Sequence, residues 1–229
     1  MPTALHDEHF GEVIIRRNNR SRTMSATVTP TGQLRISVPT LTPLFMIRRM
    51  LRLSRKELQA LLTSRQGMVY VDGMVIGKTH SLHVVSGSSF HVRTAARQII
   101  VRLPHGLSLT DPQVVARIRP AVIRVLRLQA KQYLPARLAA LASLHGYSYD
   151  RVRLSHAGTR WGSCSSRGTI SLNIALMQLP NELIDYVLVH ELVHTRQMNH
   201  STAFWSLVGA IEPDYRRHRK ALKTYSPHI

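Results

Sequence analysis

The stretch His190-Glu191-Leu192-Val193-His194-Thr195-Arg196-Gln197-Met198-Asn199-His200 sets two histidines four residues apart, with a glutamate beside the first. Four residues is one helical turn, so both imidazoles project from one face, where a single ion can touch both. The glutamate is placed to handle the proton of a metal-activated water. A third histidine six residues on can complete a three-ligand site with an open position, the catalytic arrangement for zinc rather than the closed structural one.

The flanking sequence supports a buried helix. Pro180 precedes a polar start in which Asn181 is the expected N-cap, and Glu182 and Asp185 suit the positive helix end. From Tyr186 to Val193 every face is apolar except at His190 and Glu191. A helix apolar all round is an interior helix. An ionised glutamate in it is costly unless compensated, and a divalent cation supplies that compensation.

His200 is not the next ligand on the same straight helix. At 100° per residue it lies about 240° around from His194. The chain must turn between them. Where zincins carry a third histidine at this spacing, a glycine makes the turn. Gln197 occupies that position here, so Asn199, tolerant of a left-handed backbone, is the expected helix stop. Glu212, on a later segment, is the competing third ligand. Arg160, Tyr186, Tyr215 and His218 are candidates to stabilise an oxyanion. Cys164 reads as a small packed thiol rather than a nucleophile.

Composition narrows the setting. The 229 residues allow one large or two small domains, and 44% hydrophobic content suits a globular chain. A single cysteine excludes an internal disulfide and fits a reducing compartment, with the cytoplasm as the expected location. No stretch has the length and apolarity of a membrane span. The net charge of +19 attracts polyanions, so nucleic acid is an expected partner class. The basic residues are dispersed, however, and alternate with apolar ones in helical stretches, as on a solvated face.

Before about His105 the chain looks mainly β. Strands are expected at Glu12–Arg16, Thr23–Thr29 and Leu34–Val38, the last two joined as a hairpin at Pro30-Thr31-Gly32. A helix over about Pro43–Arg65 follows, then strands at Met68–Val75, Leu82–Val85 and Gln98–Leu103. Beyond lies a helical pattern from Asp111 to His145, to be kinked or split by Pro120 and Pro135 and stopped by Gly146. Short strands are expected at Arg151–Ser155 and Gly168–Asn173. After the metal helix come a helix from Ser201 to Ile211, capped by Ser201, and a basic helix from Pro213.

Three segments then carry a resemblance: Thr159-Arg160-Trp161-Gly162-Ser163-Cys164-Ser165; Gly168-Thr169-Ile170-Ser171-Leu172-Asn173; and Ile184-Asp185-Tyr186-Val187 through the histidine motif to Phe204-Trp205. Together they resemble the YgjP-like metallopeptidases, a family related to the SprT and WLM zinc peptidases. The resemblance implies one Zn2+ held by His190, His194 and His200, with Glu191 catalytic. It also implies a substrate cleft flanked by the Arg160-Trp161 segment and by the strand ending at Asn173. The expected fold is α+β: a β-rich region, residues 1–105, packed with a helix-rich, zincin-like domain, residues 106–229, that holds a small sheet and the HExxH helix. The expected function is zinc-dependent hydrolysis of peptides or proteins. Two alternatives remain open at this level: a metal-dependent nucleotide phosphohydrolase, and an SprT-like protease acting beside nucleic acid.

Overall fold

The computed structural model describes residues 3–19, 21–29, 33–64 and 68–229. They form two compact units, Met1–Gly67 and Met68–Ile229.

In the first unit, strands β1 (Thr3–Asp7), β2 (Gly11–Arg17), β3 (Ser25–Val28) and β4 (Leu34–Val38) form a sheet in the order β1-β2-β4-β3. Helices α1 (Leu44–Leu53) and α2 (Arg55–Ser64) follow. Period-two alternation explains the sheet: Val13 and Ile15 of β2, and Leu34, Ile36 and Val38 of β4, are buried while their neighbours are not. Ile47 and Leu51, one turn apart on α1, join the same core. The expected pairing of β3 with β4 is antiparallel as a hairpin requires; its turn at Pro30–Gly32 and the end of the expected helix at Arg65 lie outside the described residues. The single helix expected there is two, parted at Ser54.

The second unit holds two sheets and a long helix. Strands β5 (Val75–Ile76), β6 (His80–Ser86), β7 (His91–Ala95) and β8 (Gln98–Leu103) take the order β5-β6-β8-β7, with β6 and β8 parallel. Helix α3 (Pro112–His145) leads to β9 (Arg151–Ser155), β10 (Gly162–Cys164) and β11 (Thr169–Asn173), in the order β10-β11-β9. A 3-10 turn (Ile174–Gln178), α4 (Asn181–Val193), α5 (Thr202–Ile211) and α6 (Tyr215–Leu222) complete the unit. The α+β class holds. Of the strand expected over Met68–Val75, only Val75 falls in a strand, the two-residue β5.

α3 is the spine. Val114, Ile118, Val122, Val125 and Leu126 recur at helical spacing and are buried. Ile76, Leu82, Ile99 and Val101 of the preceding sheet share this core with Ile170, Leu172 and the apolar face of α4. The boundary expected near residue 105 therefore falls inside this unit, between β8 and α3. Pro120 and Pro135 do not split the helix. Each removes a bond to the carbonyl four residues back, at Ala116 and Lys131, and both of those residues are exposed, so water can take the bond's place. Gly146 ends α3 in the left-handed region, φ 68°, as its position suggested. Arg137 of α3 clasps Asp185 of α4 through two hydrogen bonds, 2.8 and 2.7 Å. No helix among the described residues is long and apolar enough to cross a membrane.

Candidate metal centre and cleft

α4 forms as its composition dictates, buried on nearly every face from Leu183 to Val193. Its N-cap is Pro180, at φ −50° and ψ 150°, so Asn181 is the first helical residue and not the cap, contrary to expectation. The helix ends at Val193, and His194 is its C-cap. The chain then tightens: Thr195 N–H donates to the Leu192 carbonyl, and those of Arg196 and Gln197 to the Val193 carbonyl, at 2.9–3.0 Å. This turn is right-handed. Among the described non-glycine residues only Ala96 has a positive φ, so Asn199 is not the left-handed stop that the spacing suggested. Ser201 caps α5, its hydroxyl accepting from Phe204 N–H at 3.4 Å.

The turn returns His200 to the two helical histidines. One nitrogen from each of His190, His194 and His200 falls within a group spanning no more than 4.8 Å. His190 Nε2 and His200 Nε2 are 3.1 Å apart. Nitrogens sharing one tetrahedral zinc stand roughly 3.3 Å apart, from bonds of about 2.0–2.1 Å. Glu212 is not in this group. Its carboxylate lies 3.5 Å from His218 Nδ1 instead.

The electrostatics fit a cation. Burial pushes the His190 imidazole down to about 3, helped by His194, His200 and Arg219. Burial also lowers His194, against a hydrogen bond to the Gln197 carbonyl that raises it. Both rings are therefore neutral at ordinary pH, the form that binds metal. His194 Nδ1 donates to the Gln197 carbonyl at 3.1 Å, which leaves Nε2 as the free lone pair. Glu191 is 5% exposed, and burial raises its carboxyl to about 8 against the opposing charge of Arg160. Its Oε2 is buried without a hydrogen-bond partner. Three converging imidazoles beside an unsatisfied buried carboxylate oxygen form a donor set that suits zinc better than magnesium or calcium.

Aromatic rings wall the site. Phe204 is fully buried, its ring centre 4.5–4.9 Å from those of the three histidines. Trp205 stacks on His200 at 5.7 Å and 26°, and Tyr215 stacks on Trp205 at 5.4 Å and 16°. Arg219 covers Trp205 at 4.6 Å. Sequence reasoning assigned no role to Phe204 or Trp205. Their positions four and five residues after His200, within one turn of a capped helix, were the available signal.

The opposite wall is β10. A Cβ on Gly162 would stand 2.5 Å from Glu191 Oε1 and 2.7 Å from its Cγ, so only glycine lets this strand close on the glutamate. Arg160 is exposed just before it, and Trp161 is half-buried against the core. Asn173 is fully buried and lines no open surface. Its amide donates to the carbonyls of Ala157 at 2.6 Å and Arg160 at 2.9 Å, and its Oδ1 accepts from Ala175 N–H at 3.0 Å. It holds the 157–161 loop from behind rather than facing a substrate. Of the other candidates, Tyr186 is buried with its ring 6.1 Å from His190, and His218 is buried 6.2 Å from Tyr186. The Cys164 thiol is pushed up by burial and by the Glu191 charge, which disfavours a nucleophilic thiolate.

Two solved structures are similar to parts of this chain. The metallopeptidase zymogen of Pyrococcus abyssi abylysin shares 27% identity over 39% of this chain and 91% of its own, with a TM-score of 0.37. The metallopeptidase zymogen of Methanocaldococcus jannaschii jannalysin shares 15% identity over 39% of this chain and 93% of its own, with a TM-score of 0.36. No curated protein matches. The family model described as YgjP-like, metallopeptidase domain, matches residues 22–225. With the whole of the histidine site inside that match, the chain belongs to the YgjP-like metallopeptidase family and is a metal-dependent peptidase.

Proposed function

We propose that the metal is zinc, held by His190, His194 and His200, and that Glu191 is the general base of peptide hydrolysis. The observation that carries this reading is the convergence of three imidazole nitrogens beside a buried carboxylate with an unsatisfied oxygen. Zinc bound there supplies Lewis-acid polarisation of the scissile carbonyl and lowers the pKa of water. Glu191 takes a proton from the attacking water and delivers it to the leaving amine. The buried, apolar setting that raises its pKa also suits it to hold that proton between the two transfers.

β10 orients the substrate. It is the edge strand of its sheet, paired with β11 on one side only. An extended peptide laid along its free edge pairs through main-chain hydrogen bonds and passes Glu191 at Gly162. Arg160, exposed at the entrance, offers a guanidinium to a substrate carbonyl or carboxylate. The catalytic segment is residues 106–229, with the sheet of β5–β8 as its support, and the lone Cys164 suits a reducing cytoplasm.

The test is cleavage of an unfolded protein by the zinc-loaded chain and by Glu191→Gln. The variant should keep its zinc and lose about 10²–10⁴-fold in rate. Equal rates, or hydrolysis of nucleoside triphosphates in place of protein, would overturn the reading.

A further inference from the structure

The segment bearing the third histidine is held by little main-chain structure. Residues 198–200 make no hydrogen bond from main chain to main chain, whereas the turn before them and α5 after them do. Met198, Asn199 and His200 are all exposed. Such a segment would be free to swing, and a metal arriving there would have to order it.

Gln197 links it to the helix. Its carbonyl accepts the Nδ1 proton of His194 at 3.1 Å. Its side-chain amide donates to Asn199 Oδ1 at 2.7 Å and to Ser201 Oγ at 3.1 Å. One half-buried residue thus fixes the tautomer of one ligand and brackets the other from both sides. It stands where a glycine would otherwise make the turn by adopting a left-handed backbone, which this turn does not use.

We propose that Gln197 is a positioning residue for the metal ion, setting His194 through its carbonyl and His200 through its side-chain amide before the ion arrives. The inference rests on the metal-site reading above. The fixed amide lowers the ordering that binding demands, and with it the loss of affinity that a mobile third ligand would bring.

The test is zinc affinity of the full chain, read by competition with a chromophoric chelator, alongside the thermal midpoint of the metal-free chain. Gln197→Ala, and Gln197→Met which keeps the length without the donors, should weaken zinc binding by about 10–100-fold. The metal-free midpoint should not move. Asn199→Ala should weaken binding too, and add little in the Gln197→Ala background, because the two share one bond. Wild-type affinity in Gln197→Ala, or a loss matched by a lower metal-free midpoint, overturns the proposal. A wild-type chain that takes up no zinc refutes the metal-site reading itself.

Discussion

Glu191 has room for its carboxylate because a side chain is missing opposite it. Gly162 presents only a hydrogen where any other residue would collide with the glutamate's carboxylate and Cγ. Because Glu191 is buried, it has little room to withdraw. Gly162→Ala should therefore displace the proposed general base while leaving the three histidines alone. A misplacement of about 1 Å costs on the order of 100-fold in rate. We expect that loss in kcat with zinc content unchanged, measured on the same preparation; an unimpaired rate would show that Glu191 relaxes without cost. The His190-Glu191-His194 constellation was legible because helical spacing alone places it. His200 was legible as a histidine, but the turn that delivers it was not. A side-chain amide reaching residues two and four ahead has no spacing rule, whereas a glycine turn does.

At the scale of elements, the β10 wall of the proposed cleft is pinned from behind. Asn173 spends every polar atom of its amide on the loop before β10 and the turn after β11. Asn173→Ala removes the partner of the part-buried Ala157 and Arg160 carbonyls and of the buried Ala175 N–H, and the buried group alone costs about 1–3 kcal/mol. The predicted result is a lower unfolding midpoint and faster proteolysis within residues 157–161, checked by calorimetry and limited digestion. Stability equal to wild type would mean water replaces the amide. Sequence reasoning put Asn173 in the cleft because it ends the correct strand; it could not tell that the side chain points inward. Strands β1 and β7 went unread for a related reason. β1 buries one side chain, Leu5, among the residues whose burial is described, and β7 buries none. Their bonds are main-chain pairings to β2 and β8, which leave no apolar alternation to detect. The central strands β2, β4 and β8, with buried alternating residues, were read nearly to their ends.

For the molecule as a whole, the proposed site and the fold are coupled through α4, whose apolar faces fill the core while His190 and its C-cap His194 belong to the histidine cluster that could hold an ion. A ligand that binds the folded chain alone stabilises it, by about 4 kcal/mol at a thousandfold excess over Kd. In a unit of this size that raises the midpoint by roughly ten degrees. Zinc should produce such a shift in the wild-type chain, and a strong chelator should reverse it. Absence of any shift would argue that the histidines hold no structural or catalytic ion. The net charge of +19 is a separate property of the surface. It was plain from composition, and along the sequence the basic residues are dispersed among apolar ones.

The most direct test of the central claim is elemental analysis of the purified chain beside His200→Ala, with the fold of each checked by circular dichroism. His200 is the proposed ligand that neither helical spacing nor a glycine turn guarantees. We predict one zinc per wild-type chain, and a folded His200→Ala chain that retains it weakly or not at all. A folded wild-type chain without zinc, or a His200→Ala chain that holds zinc as tightly as wild type, would contradict the three-histidine centre.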